Sequence, residues 1–197
     1  MAVEKSVCAW AMKQPIEREY HDQEWGRVNK SDTYLFEFLT LEGAQAGLSW
    51  YTILKRREAY RAAFDNYDIE KLASYEDDHI EAIIASYDII KHRGKISSVF
   101  NNARAAQRLI YEYGSLANAL WQFVDHQPVI NHWQTMADIP AFTETSKEMS
   151  RFLKKKGFKF VGETTCYAFM QAVGMVNDHL VTCYYHSEVM NKSDLSK

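Results

Sequence analysis

The sequence predicts an all-α protein, and three observations carry that prediction. Apolar residues recur at spacings of three and four from Ser31 onward, no alternating apolar and polar run of useful length appears, and eight glycines and three prolines in 197 residues leave few breakers to end strands. Apolar residues make up 47% of the chain and charged residues 25%, which suits one buried core and is too polar for a membrane protein. No apolar run approaches the length that spans a bilayer. Net charge is −3, so affinity for a polyanion has to come from local charge.

Taken in order, the N-terminal MAVEKSVCAW has no apolar signal core. Cys8, Cys166 and Cys183 are an odd set without a disulfide pattern, so a reducing, cytoplasmic compartment is expected. Ser31 or Asp32 caps a helix whose inward face is Tyr34, Leu35, Phe38, Leu39 and Leu41. Glu42 to Leu48 follows as a small-residue connection with one carboxylate, suited to close backbone approach. A second helix over 49–64 turns Trp50, Ile53, Leu54 and Tyr60 inward and Lys55, Arg56, Arg57 and Glu58 outward. Further helices are expected over 68–74, 76–86, 91–113, 115–124, 144–156 and 162–176, with Asp68, Glu76, Ser115 and Thr145 as capping candidates and Gly157 at a C-terminus. Residues 187–197 lose aromatic content and are expected to form a loose tail.

Gly157 and Gly162 frame a short turn between the last two of these helices. Two glycines permit left-handed backbone, and amides at the start of the next helix then face an anion such as a DNA phosphate; an ordinary helix connection fits the same spacing. Lys147 to Lys159 holds six basic residues and one acid, and Lys91 to Arg108 holds five basic residues and no acid. A charge run is usually a solvated helix face, but one of these clusters abuts the hairpin, so the two features mark one surface.

His179 and Cys183 stand four apart, as two metal ligands on one helical turn would, and Cys8 with His21 completes a Cys2His2 set from the other end of the chain. A buried cysteine and two surface histidines fit the same pattern. Cys166, beside Tyr167 and Phe169, reads as core. His79, His92, His126, His132 and His186 have no paired partner in the sequence.

Six blocks occur in one order: Cys8-Ala9-Trp10, Tyr20 to Gly26 (YHDQEWG), Leu41 to Trp50 (LEGAQAGLSW), His92-Arg93-Gly94-Lys95, Gly157 to Gly162 (GFKFVG) and Asn177-Asp178-His179. In that order the chain resembles the DNA-3-methyladenine glycosylase I family of helix-hairpin-helix glycosylases over about residues 8–186. The resemblance implies a helix-hairpin-helix DNA glycosylase fold: a core over 31–176 and a terminal unit, 1–30 with 177–197, tied by one structural zinc ion on Cys8, His21, His179 and Cys183. It implies a monomeric, monofunctional enzyme without a membrane partner. That enzyme flips N3-methyladenine out of alkylated double-stranded DNA and hydrolyses its glycosidic bond, leaving an abasic site and free 3-methyladenine. A helix-hairpin-helix module that binds DNA without excising a base is the alternative.

By this resemblance Glu42 is the functional carboxylate that contacts the flipped base, with Tyr20, Trp50, Trp10 and Trp25 as pocket walls whose π faces suit a cation. Leu48, beside Gly47, serves as a wedge into the duplex or as a buried leucine. Gly157, Phe158, Lys159 and Gly162 place amides on a phosphate, Lys155 and Lys159 add charge, and Arg93 and Lys95 continue the track. Asp178 is a fallback catalytic acid, although it neighbours a zinc ligand. Glu17 departs from the family's pattern, which has an aromatic there, and puts base stacking and selectivity in question.

Overall fold

The computed structural model describes residues 6–193, which are mostly helical. Helix α1 spans Pro15–Gln23 and α2 spans Asp32–Gln45. Every residue of α2 from Leu35 to Ala44 is buried, and the helix touches α3 (Trp50–Leu54), α7 (Arg93–Tyr113), α8 (Leu116–Trp121) and α10 (Glu163–Ala172). A helix covered on all sides needs no amphipathic stripe, and any carboxylate on it has to find a partner or stay protonated. Glu37 finds partners, and this corrects the expected helix over 49–64. That helix breaks at Lys55 and Arg56 into α3 and α4 (Arg57–Ala63), and Arg57 turns inward instead of outward. Its Nε donates to Glu37 Oε1 at 2.8 Å and its Nη1 to Glu24 Oε1 at 2.7 Å, locking the end of α1, α2 and α4 together. The demand of one buried carboxylate overrides the helical periodicity.

The other helices follow their caps. The Asp68 side chain accepts from Lys71 N to open α5 (Ile69–Ala73), the His92 ring accepts from Lys95 N to open α7, and the Ser115 hydroxyl accepts from Asn118 N to open α8. Helix α6 (Asp78–Ser86) begins after Asp77, so Glu76 is not its cap, and α9 (Glu144–Lys155) is capped by a Thr143–Ser146 box instead of Thr145. Two helices lie where none was expected. Helix α1 buries Glu17, Tyr20 and His21, a set with no aliphatic side chain to mark it. Helix α11 (Tyr184–Ser193) replaces most of the expected loose tail, whose residues 194–197 lie outside the described residues. It starts where the two chain ends pair: Ser6 N donates to Thr182 O at 2.8 Å, and Tyr184 N donates to Ser6 O at 3.0 Å. Strands β1 (Val129–Ile130) and β2 (Val176–Asn177) form one short parallel pair.

Helix α10 stops short of the expected 176 because Gly174 is left-handed, with φ +76°. Residues 26–29 run alongside it, with Gly26 N donating to Gln171 O at 3.0 Å and Asn29 N to Val173 O at 3.1 Å. A Cβ on residue 174 would stand 2.4 Å from both Arg27 C and Val28 N. Gly174→Ala is therefore expected to cost about 3 kcal/mol of folding stability, read as a lower urea midpoint at unchanged slope; an unchanged midpoint would mean that this crossing yields freely.

Candidate active site and metal centre

Helix α1, the end of α2, the 46–49 connection, residues 136–141 and α10 enclose an open cleft of about 620 Å³. Four side chains on its wall each present a buried polar atom without a hydrogen-bond partner among the described residues: Glu17 Oε2, Tyr20 Oη, Glu42 Oε2 and Trp50 Nε1. Native interiors pair nearly all such atoms. Nine such side-chain atoms are unpaired among the described residues, and the gathering of four of them, drawn from three elements, on one cavity wall marks a site that is completed by something entering it.

Glu42 lies in the last turn of α2 and is 4% exposed. Burial pushes its carboxyl up to about 8, so near neutral pH the free cleft holds it mainly protonated. Tyr20 is raised first by burial and then by the charge of Glu42, and it stays a neutral phenol. The Tyr20 and Trp50 rings lie 5.4 Å apart, and those of Trp10 and Trp25 lie 5.1 Å apart edge-on, so the four predicted aromatics share one wall. Leu48, at the tip of the 46–49 connection, is 39% exposed, which removes the reading of a buried leucine. Thr164, Tyr167 and Gln171 also line the cleft. The sequence reading missed them, although their spacing of three and four along α10 is a face pattern.

Asp178 does not reach the cleft as a free acid. It is buried, and its oxygens accept from Asn131 Nδ2 at 2.7 Å, Trp133 Nε1 at 2.8 Å, the Tyr167 hydroxyl at 2.6 Å and Gln171 Nε2 at 2.7 Å. Four donors saturate it, so it fixes Tyr167 and Gln171 on the cleft wall and is unsuited to the fallback catalytic role.

Behind that wall, one donor atom from each of Cys8, His21, His179 and Cys183 lies within 4.8 Å of the others, and all four residues are buried. His21 Nε2 and His179 Nδ1 stand 3.1 Å apart, and Cys183 Sγ is 3.6 Å from each. A tetrahedral ion with two nitrogen and two sulfur ligands sets about 3.3 Å between nitrogens and about 3.6 Å between nitrogen and sulfur, so these residues fit one. The outward ring nitrogens are held as well, His21 Nδ1 at 2.8 Å from Asp22 Oδ1 and His179 Nε2 at 3.1 Å from Trp25 O, which directs the other nitrogen of each ring to the centre.

The hairpin after α9 differs in detail from expectation. Gly157 is left-handed (φ +92°), but Gly162 is not (φ −65°); the second left-handed residue is Phe160, with φ +56°. The amides expected to hold a phosphate are partly used internally: Gly157 N donates to Lys154 O at 3.0 Å, Phe158 N to Leu153 O at 2.9 Å and Lys159 N to Asn102 Oδ1 at 2.8 Å. Phe158 itself is buried. The amides of Phe160, Val161 and Gly162 donate to nothing among the described residues, which moves the candidate anion site to the mouth of α10. Asn102, missed in the sequence, bolts the turn to α7 with a second bond from Nδ2 to Lys159 O at 3.0 Å. Lys155 and Lys159 are exposed. Arg93 pairs with Glu81 at the surface, and Lys95 Nζ donates to Ala44 O and Ala46 O, each at 2.8 Å, so Lys95 is held against the end of α2.

Residues 10–186 match the family model for methyladenine glycosylase. The chain belongs to the methyladenine glycosylase family. It is 46% identical to DNA-3-methyladenine glycosylase 1 of Escherichia coli strain K12 over 176 residues, 89% of this chain and 94% of that protein. Its fold also matches a Staphylococcus aureus structure of 3-methyladenine DNA glycosylase I that addresses 3-methyladenine recognition (TM-score 0.88, 34% identity, 92% and 96% of the two chains). A further match is a variant of 3-methyladenine DNA glycosylase I in complex with 3-methyladenine (TM-score 0.86, 34% identity, 90% and 95%).

In this methyladenine glycosylase, folding raises Glu42 from 4.5 to about 8, so between those values the folded state holds a proton that the unfolded chain has lost. The contribution of this group is fully present below 4.5 and is lost as pH rises through about 8. Urea unfolding near pH 5 and near pH 9 is expected to show the wild type losing on the order of 4 kcal/mol more stability over that interval than Glu42→Gln does. Equal slopes in wild type and variant would mean that Glu42 is not held protonated.

Proposed function

We propose that the protein excises N3-methyladenine from alkylated double-stranded DNA, and that Glu42, Tyr20 and Trp50 receive the flipped base. The observation that carries this reading is the set of unpaired polar atoms in one aromatic-walled cleft. N3-methyladenine in DNA is cationic and its glycosidic bond is already weak, so extraction, recognition and charge stabilisation are the main tasks. A cation entering the cleft favours the ionised form of Glu42, and the carboxylate then accepts from the exocyclic amine. Neutral adenine gives no such return for ionising a buried acid. The aromatic faces of Trp50 and Tyr20 add attraction for the charged ring. When the C1′–N9 bond breaks, its electron pair leaves with the base, which departs neutral. Water adds its oxygen to C1′ and gives up a proton, leaving the abasic site.

The fold in this reading is that of a helix-hairpin-helix DNA glycosylase with a core over 31–176. Leu48 enters the gap left by the flipped nucleotide, and Gly47 provides the open backbone beside it. Gly157 makes the hairpin turn, the free amides up to Gly162 take a phosphate, and Lys155 and Lys159 supply charge. Cys8, His21, His179 and Cys183 would hold one zinc ion that ties the terminal unit, residues 1–30 with 177–197, and would fill its coordination with protein ligands so that it serves structure and not catalysis. Trp10 and Trp25 pack against the ligand rings and carry that order to the cleft. The protein acts as a monomer in the cytoplasm. No helix among the described residues is long and apolar enough to cross a membrane.

Wild-type protein incubated with methylated duplex is expected to release N3-methyladenine, with Glu42→Gln about a hundredfold slower. Salt-sensitive binding without release, indifferent to methylation, would instead establish a non-catalytic DNA-binding module. Metal analysis is expected to find one zinc per chain, lost in Cys183→Ala together with several kcal/mol of stability; a metal-free wild type, or an equally stable variant, would refute the zinc tie.

A further inference from the structure

The cleft holds a second buried carboxylate that the reaction above does not use. Glu17 stands three residues before Tyr20 on α1, so the two share a helix face, and Glu17 is 8% exposed. Its Oε2 is buried without a hydrogen-bond partner among the described residues. A buried carboxylate oxygen without a partner is unfavourable. Its own helix does not offset that cost, because the adjacent Arg18 is committed to Asp22 at 2.6 Å. The basic side chain among the cleft-lining residues is Lys13, which is exposed. A buried acceptor kept in that condition, on the same wall as Glu42, calls for a partner that arrives with the ligand.

We propose that Glu17 is a specificity-determining residue that, with Glu42, gives the pocket two carboxylate acceptors and so selects cationic alkylpurines over neutral purines of the same shape. This rests on the base-pocket reading above. The ring nitrogens of a neutral purine carry lone pairs that repel a carboxylate placed against them. Alkylation removes one lone pair and spreads positive charge over the ring, so both edges become attractive to an acceptor. One carboxylate can recognise the amine edge; two carboxylates on different elements sense the charge of the ring itself.

The test compares two probes by calorimetric titration near pH 8: 3,9-dimethyladeninium, a permanent cation that mimics the damaged nucleoside, and neutral 3-methyladenine. Glu17→Gln is expected to weaken the cation about tenfold and the neutral base less than about threefold, so that the preference between them falls. Glu17→Asp, which keeps the charge, is expected to retain most of the preference. Unchanged affinities, or an equal loss for both probes, would overturn the proposal. A wild type that binds neither probe would overturn the base-pocket reading and this proposal together, whereas a wild type that binds both while Glu17→Gln changes nothing would overturn this one alone. Urea midpoints of the variants keep a folding defect distinct from a change in selectivity.

Discussion

Four side chains from the two ends of the chain, Cys8, His21, His179 and Cys183, meet in one buried cluster, and the cleft depends on that meeting. Closing a loop of this length costs conformational entropy, and the donors themselves are polar groups withdrawn from water, costs that the proposed metal ion would offset. What it fixes is α1. His21 belongs to the cluster, while Glu17 and Tyr20 on the same helix face the cleft. Trp10 and Trp25 lie between cluster and cleft, with Trp25 edge-on to His179 at 4.7 Å. The position of the pocket wall is therefore set from behind, by residues that never touch a ligand in the cleft.

The opposite wall is set by burial. Helix α2 is covered from Leu35 to Ala44, and the two carboxylates in that stretch meet that condition in different ways. Glu37 is compensated by Arg57 and Arg61, and this network locks the scaffold. Glu42 is compensated by nothing internal, so it waits protonated and gains its counter-charge only from a cation that enters. Stability is given up at the site where recognition needs an unsatisfied group, as functional sites commonly require.

Much of this was legible in the sequence where one physical term dominates. The helical spans of α2 and α7, and the caps at Asp68 and Ser115, follow from local rules, although α2 is buried on every face and not along one stripe. The four candidate metal ligands stand out as a set, although spacing alone does not separate ligands from packing residues. Helix α1 was hidden because its buried face is Glu17, Tyr20 and His21, chosen for the site and not for the core. Periodicity places Arg57 outward because it says nothing about a buried Glu37 in need of a cation. The basic run suggests a phosphate track for Lys95, whereas its ammonium holds the carbonyls of Ala44 and Ala46 next to the cleft. At the hairpin, a glycine pair suggested two left-handed residues, and Phe160 takes the second place. The departures at Arg57 and Lys95 are long-range polar contacts that overrule a local pattern.

The most direct measurement is a crystal structure of the protein with 3-methyladenine soaked or co-crystallised. The purine is expected between Tyr20 and Trp50, with Glu42 Oε2 and at least one of Tyr20 Oη and Trp50 Nε1 within hydrogen-bond distance of it or of a water that it orders. A base bound elsewhere, or one in the cleft that leaves Glu42 without a partner, would contradict the claim that these unpaired atoms are the receptor for the damaged base.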